Sequence, residues 1–129
     1  MTNRLVDTLT IDHVQLAAPP GCEAHARVFY GELLGLPELR KPPALAGRGG
    51  AWFAVGDQAL HVGIEDPFRP ARKAHPALRA ASVAALRALA GALEAGGHAV
   101  RWDDGLPGVA RFYVDDPFGN RLEVLADDA

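Results

Sequence analysis

The chain carries two copies of one pattern. The stretch Gly50-Ala51-Trp52-Phe53-Ala54-Val55 is echoed by Val109-Ala110-Arg111-Phe112-Tyr113-Val114, and Leu60-His61-Val62 is echoed by Leu122-Glu123-Val124. An internal duplication constrains a fold strongly, because each copy must be one supersecondary unit that buries its apolar face against its neighbour.

The order of elements within the two copies agrees. Residues 10–17 alternate as a half-buried strand, with Asp12, Val14 and Leu16 on one face and Ile11, His13, Gln15 and Ala17 on the other. Pro19-Pro20-Gly21 ends it. Phe29, Tyr30, Leu33 and Leu34 then recur at helical spacing across residues 22–34, and Gly35 is placed to cap that helix. The segment 38–50, broken by proline and glycine, reads as a ragged edge strand and loop. Two clearer strands follow at 51–55 and 59–64, turning on Gly56-Asp57. In the second copy a strand at 75–81 precedes Ser82, an N-cap, and a helix with the stripe Leu86, Leu89, Ala90 and Leu93 that stops at Gly96-Gly97. A weak strand at 98–102 leads to a hairpin of 109–114 with 121–125, turning through Asp115-Asp116-Pro117-Phe118-Gly119-Asn120. The expectation is a single α+β domain over residues 1–129. It consists of two tandem βαβββ modules, about 8–66 and 73–126, forming a curved sheet around a cleft with the helices on the outer face.

The duplication also pairs polar side chains. His13 corresponds to His75, and His61 to Glu123, each pair 62 residues apart. Residues two apart on a strand share a face. Leu60 and Val62 belong on the helices, which turns His61 to the cleft; Leu122 and Val124 do the same for Glu123, and Val14 for His13. All four can converge on one concave surface. Imidazole nitrogen and carboxylate oxygen suit zinc, nickel, manganese, cobalt or iron(II), and such a set leaves coordination positions for a substrate. His25 and His98 have no repeat partner and are assigned to the surface. Phe53, Val55, Phe112 and Val114 alternate toward the helices, so Trp52, Arg111 and Tyr113 face the cleft. Gln15 and Arg79 follow the histidines at the same parity, and these five are the candidate substrate-binding residues. Arg69, Arg72 and Lys73 form either an anion clamp or a solvated linker. Asp115 and Asp116 read as turn formers.

Composition narrows the partners. With 13 Lys+Arg against 16 Asp+Glu, the chain lacks the basic field that draws proteins to nucleic acid or anionic lipid. Hydrophobic residues at 49% and charged residues at 22% are ordinary for a folded domain. Cys22 stands alone, so no intrachain disulfide is possible, and a reducing cytoplasm is the expected location. No apolar run of signal-peptide or membrane-span length is found, so no membrane role is expected.

At these residues the sequence resembles the vicinal oxygen chelate superfamily, which groups glyoxalases with fosfomycin-resistance, bleomycin-resistance and extradiol dioxygenase proteins. Ile11-Asp12-His13-Val14, Phe29-Tyr30-Gly31-Glu32-Leu33-Leu34-Gly35-Leu36 and Asp116-Pro117-Phe118-Gly119-Asn120-Arg121-Leu122-Glu123 carry the resemblance, the last most specifically. It implies that His13, His75 and Glu123 match the three metal ligands of the fosfomycin-type enzymes. His61 stands where glyoxalase I has a glutamate ligand. This departure makes His61 either a fourth ligand or a base, and Glu123 and His61 are the candidate catalytic residues. The resemblance further implies a divalent metal chelating two neighbouring oxygens of a small substrate, with isomerase/lyase, transferase or dioxygenase chemistry. It also implies a homodimer in which His13 and His61 come from one subunit and His75 and Glu123 from the other. The unpaired sheet edge of each module gives a physical reason for such a partner. The alternative is a metal-free small-molecule binder of the bleomycin-resistance type using the same cleft.

Overall fold

Period-two alternation and the glycine turns place the strands, and the two apolar helical stripes place what covers them. The computed structural model describes residues 8–128; the reading of residues 1–7 as free of a leader-like run lies outside them. The order is β1 (His13–Ala18), α1 (Glu23–Ala26) with a wider-wound continuation (Arg27–Leu33), β2 (Glu38–Leu39), a 3₁₀ segment (Pro43–Arg48), β3 (Ala51–Val55) and β4 (Gln58–Ile64). The second module follows as β5 (Ala77–Arg79), α2 (Val83–Ala95), β6 (Val100–Asp103), β7 (Val109–Asp115) and β8 (Arg121–Asp127). No helix among the described residues is long and apolar enough to cross a membrane.

The strands form two four-stranded sheets, ordered β1-β4-β3-β2 and β5-β8-β7-β6. Each module threads its sheet in the same way, so the duplication in sequence is a duplication in space. The first strand of each runs parallel to the last, and the remaining pairs are antiparallel. This topology puts β1 and β5 at sheet edges.

One apolar core unites the modules. Leu16, Phe53, Leu60 and Val62 from the first sheet and Phe112, Val114, Leu122 and Val124 from the second are buried with Phe29 and Tyr30 of the first helix and Leu86, Ala90 and Leu93 of α2. Alternation then sends the intervening strand residues to the opposite face, as the parity argument required. At the head of α2 the Ser82 hydroxyl accepts the Ala85 N–H at 3.1 Å. Ser82→Ala should therefore lower stability by about 1 kcal/mol, the usual worth of an N-cap, read as a shifted urea midpoint with an unchanged slope.

Local chemistry explains where the elements depart from expectation. The strand expected at 75–81 shrinks to Ala77–Arg79. Pro76 lacks an N–H for the ladder, and only its carbonyl takes part, accepting from Glu123 N at 3.0 Å. The first helix widens toward its end, where Leu34 N reaches Phe29 O at 3.0 Å, a five-residue step. The segment 43–48 coils into a 3₁₀ turn instead of an open loop. After it, Gly50 adopts a positive φ, and a Cβ there would collide with the Val62 carbonyl, so only glycine lets β3 start beside β4. His98, expected at the surface, is half-buried with its ring edge-on to Phe29 at 4.8 Å.

The turn between β7 and β8 locks the two modules together. Asp116 Oδ1 accepts the N–H groups of Phe118 and Asn120, both at 2.9 Å, which makes it the turn former expected. Its other oxygen, Oδ2, accepts the Tyr30 hydroxyl at 2.6 Å and Asn120 Nδ2 at 3.0 Å. Burial, together with the neighbouring Asp116 charge and this bond, pushes the Tyr30 phenol well above its usual range, so it remains a donor. Asn120 in turn donates to Ala17 O at 2.8 Å, at the end of β1, and accepts from Ala71 N at 2.9 Å.

Candidate functional site

In the first module, β4 sets His61 opposite Gln15 of β1 and Trp52 of β3, all on the face turned away from the core. His61 is sandwiched there. Its ring stacks on Trp52 at 4.0 Å and on His13 at 4.1 Å between centroids. Burial lowers the His61 pKa, His13 lowers it further, and Asp12 offsets part of the effect. A neutral imidazole with a free lone pair is thus favoured, the form that binds a metal or takes up a proton. His13 Nδ1 lies 2.8 Å from Asp12 Oδ2. A carboxylate only accepts, so Nδ1 carries the proton in this pair, which leaves Nε2 as the nitrogen that could bind a metal.

The second module builds a matching pair. Glu123 on β8 stands between Ala77 of β5 and Tyr113 of β7, and is 7% exposed. Its Oε1 lies 3.1 Å from His75 Nε2, while His75 Nδ1 faces the Lys73 carbonyl at 2.8 Å. Since that carbonyl can only accept, Nδ1 donates. Nε2 and the carboxylate oxygen are then two electron-rich atoms that are complementary only to a cation between them, whether a proton or a metal ion. Arg111 Nη1 donates to the other oxygen, Glu123 Oε2, at 3.3 Å, with Nη2 3.6 Å from Asp103.

Among the described residues no three His, Cys, Asp or Glu side chains come together in a metal-binding group. Within one chain the four candidates remain two pairs, one on each sheet. Of the substrate-lining candidates, Gln15 and Trp52 border a cavity of about 340 Å³ beside Lys41 and Arg48. Tyr113 lies edge-on to His75 at 5.6 Å. Arg111 is engaged with Glu123 as described, and Arg79 pairs with Asp127 at 2.7 Å in an exposed position. Arg72 approaches Asp115 at 3.7 Å. A larger cavity, about 500 Å³, lies over Trp102, Arg87 and Arg111 and contains none of the four candidate ligands.

Three basic residues near these pairs escaped the sequence reading. Lys41 sits on irregular backbone and Arg48 ends the short 3₁₀ segment, in a stretch whose prolines and glycines give no apolar period to assign a face. Arg121 is different, because it is two residues from Glu123 on β8 and the same parity argument reaches it.

Solved structures share this architecture. A protein from Bacillus anthracis described as belonging to the glyoxalase family is 46% identical, with a TM-score of 0.87 over 98% of this chain and 99% of that one. Lactoylglutathione lyase from Agrobacterium tumefaciens, at 22% identity, has the same fold with a TM-score of 0.71 over 91% of this chain and 92% of that one. The fosfomycin resistance protein FosX from Listeria monocytogenes, at 14%, also shares it, with a TM-score of 0.71 over 92% and 93%. No curated protein matches the chain. The family model for the glyoxalase/bleomycin resistance protein/dioxygenase superfamily matches residues 10–124, which include both modules and both polar pairs. With its duplicated βαβββ topology, this chain belongs to the glyoxalase/bleomycin resistance protein/dioxygenase superfamily.

Proposed function

We propose that the protein is a divalent-metal enzyme acting on a small oxygenated molecule, at a site completed by two copies of the chain. His13 and His61 of one copy and His75 and Glu123 of the other hold the metal. The His75–Glu123 couple carries this reading. A hydrogen bond to the Lys73 carbonyl orients the imidazole, and its other nitrogen, Nε2, faces a nearly buried carboxylate oxygen across 3.1 Å. The donor set fits zinc, nickel, manganese, cobalt or iron(II), which in such a site acts as a Lewis acid on vicinal substrate oxygens.

The chain's own residues supply the remaining functions. His61, kept neutral by burial, serves as a ligand or as a proton acceptor at the cleft. Arg111 orients Glu123. Trp52, Gln15 and Tyr113 line the space a substrate would fill. The reaction class is isomerase/lyase, transferase or dioxygenase.

Sharing between subunits is supported by the separation of the two pairs and by the free edges. β1 and β5 lie at the ends of their sheets, and Leu9, Ile11 and Val14 stand exposed at or just before β1. Apolar side chains beside an unpaired strand invite a partner strand. A two-fold dimer that joins β1 to the partner's β5 covers both edges and brings together two sets of four donors.

Metal analysis of protein purified without chelator tests the reading. The expected result is about one bound divalent ion per chain, or uptake to that level on adding the five metals in turn. A content that stays far below this with every metal overturns it, and leaves a metal-free binder of planar molecules stacking in the Trp52–His61 region.

A further inference from the structure

The cleft-facing side of the second sheet is crowded with charges, and nearly all of them cancel locally. Arg79 pairs with Asp127, and Arg101 with Asp115 at 3.2 Å. Arg111 sits between Asp103 and Glu123. Arg121 is the exception. It is half-buried on β8, and no carboxylate among the described residues lies within ion-pair distance of its guanidinium. The strand register sets Asp115 directly across from it, yet one Asp115 oxygen is turned to Arg101 and the other to Arg72. The Nε of Arg121, like that of Arg111, is sealed from solvent and has no hydrogen-bond partner, which leaves the terminal Nη groups of Arg121 as the donors that can meet a ligand. Its central carbon lies 5.7 Å from the Tyr113 ring centroid, a ring it shares with Arg111 at 5.5 Å.

A partly buried guanidinium without a counter-ion is unfavourable unless something else supplies the negative charge. Position suggests what does. Arg121 and Glu123 are two apart on one strand face, so their Cα atoms are about 7 Å apart, the span of a small molecule. We propose that Arg121 anchors an oxyanion of the substrate, a carboxylate or a phosphate-type group, while the rest of that molecule reaches toward Glu123. This rests on the reading of the cleft as the substrate site and gives that substrate a class: small, oxygenated and anionic. A planar guanidinium suits the task, because two parallel N–H donors match two oxygens of either group. The Tyr113 ring beneath holds the plane of Arg121 in place without competing for its donors.

The test uses metal-free protein, so that its result is independent of metal binding. Inorganic phosphate and acetate are titrated separately while the arginine Nε–Hε and Tyr113 amide signals are followed by NMR. The expected result is saturable binding of at least one anion, with the Arg121 signal among those that move. Arg121→Met retains the apolar stem over Tyr113 and removes the charge; it should raise the dissociation constant about tenfold or more, as expected for loss of a charge-assisted pair. Arg121→Lys keeps the charge but loses the paired donors, and should fall between. Arg87→Ala, on α2, changes net charge by the same amount and should leave the constant within about twofold of the parent. Saturation by neither anion, or equal losses in Arg121→Met and Arg87→Ala, overturns the proposal. Metal uptake measured on the Arg121→Met protein separates this from the functional reading. Parental uptake with anion binding lost is the expected outcome for both, whereas a parent that binds anion but no metal sinks only the metal enzyme.

Discussion

Chains carrying His13→Ala and chains carrying Glu123→Ala are each expected to lose metal uptake, and to regain it when their subunits are mixed. His13 is exposed, so His13→Ala should leave the fold and its melting transition nearly intact, whereas Glu123→Ala also strips His75 and Arg111 of a buried partner and should lower the melting temperature without abolishing the fold. In one chain His13 belongs to the pair on the first sheet and Glu123 to the pair on the second, and no three donors gather. If each site takes one pair from each subunit, a heterodimer of the two variants has one site with both defects and one with none. An isolated heterodimer should then bind about half the metal of the parent dimer. A randomly exchanged equal mixture should bind about a quarter, since half of its dimers are mixed. Metal content after dialysis, with exchange monitored by a tag on one variant, gives the answer. Demonstrated exchange with no return of metal would mean that the donors do not assemble across two chains.

A second large effect is expected far from the ligands. Asn120 is 1% exposed and makes three side-chain hydrogen bonds, to Ala17 O, Ala71 N and Asp116 Oδ2. Asn120→Ala leaves a carbonyl at the end of β1 and an N–H in the inter-module connection without those partners, inside the joint between modules. Orphaned buried groups cost more than the bonds were worth, and the loss should be about 3 kcal/mol. Asn120→Asp should be no better, because it removes the donor and sets a second carboxylate against Asp116. Urea unfolding at one fixed protein concentration measures it, since any self-association would make stability depend on concentration. A loss under about 1 kcal/mol would show that water replaces the amide and that the turn is not what joins the modules.

The segment 116–123, whose resemblance to a known family was the most specific in the chain, thus combines two jobs. Asp116 and Asn120 tie the modules, and Arg121 and Glu123 present charge to the cleft. The first job was invisible in the sequence, because a turn former and a buried latch use the same residue types, and Tyr30 lies 86 residues from Asp116.

Local and periodic features of the chain were legible from the sequence. Alternation around Leu60-His61-Val62 and Leu122-Glu123-Val124 assigned His61 and Glu123 to the face opposite the core, because a strand's side-chain period is two and the apolar neighbours fix its phase. Gly35, Ser82 and Gly56 marked their helix end, helix start and turn by conformational preference alone. The repeat then carried the topology of one module over to the other. What depended on contacts between distant segments was decided only in three dimensions. The two polar pairs stay apart in one chain because the modules meet through helices and the β7–β8 turn, with β1 and β5 left at the edges. Spacing cannot show this, since both a closed and a divided cleft satisfy the same alternation. The same holds for Arg121: its face follows from parity, but its missing counter-ion follows from where Asp115, Arg101 and Arg72 turn, and side-chain pairing of that kind is set by tertiary packing.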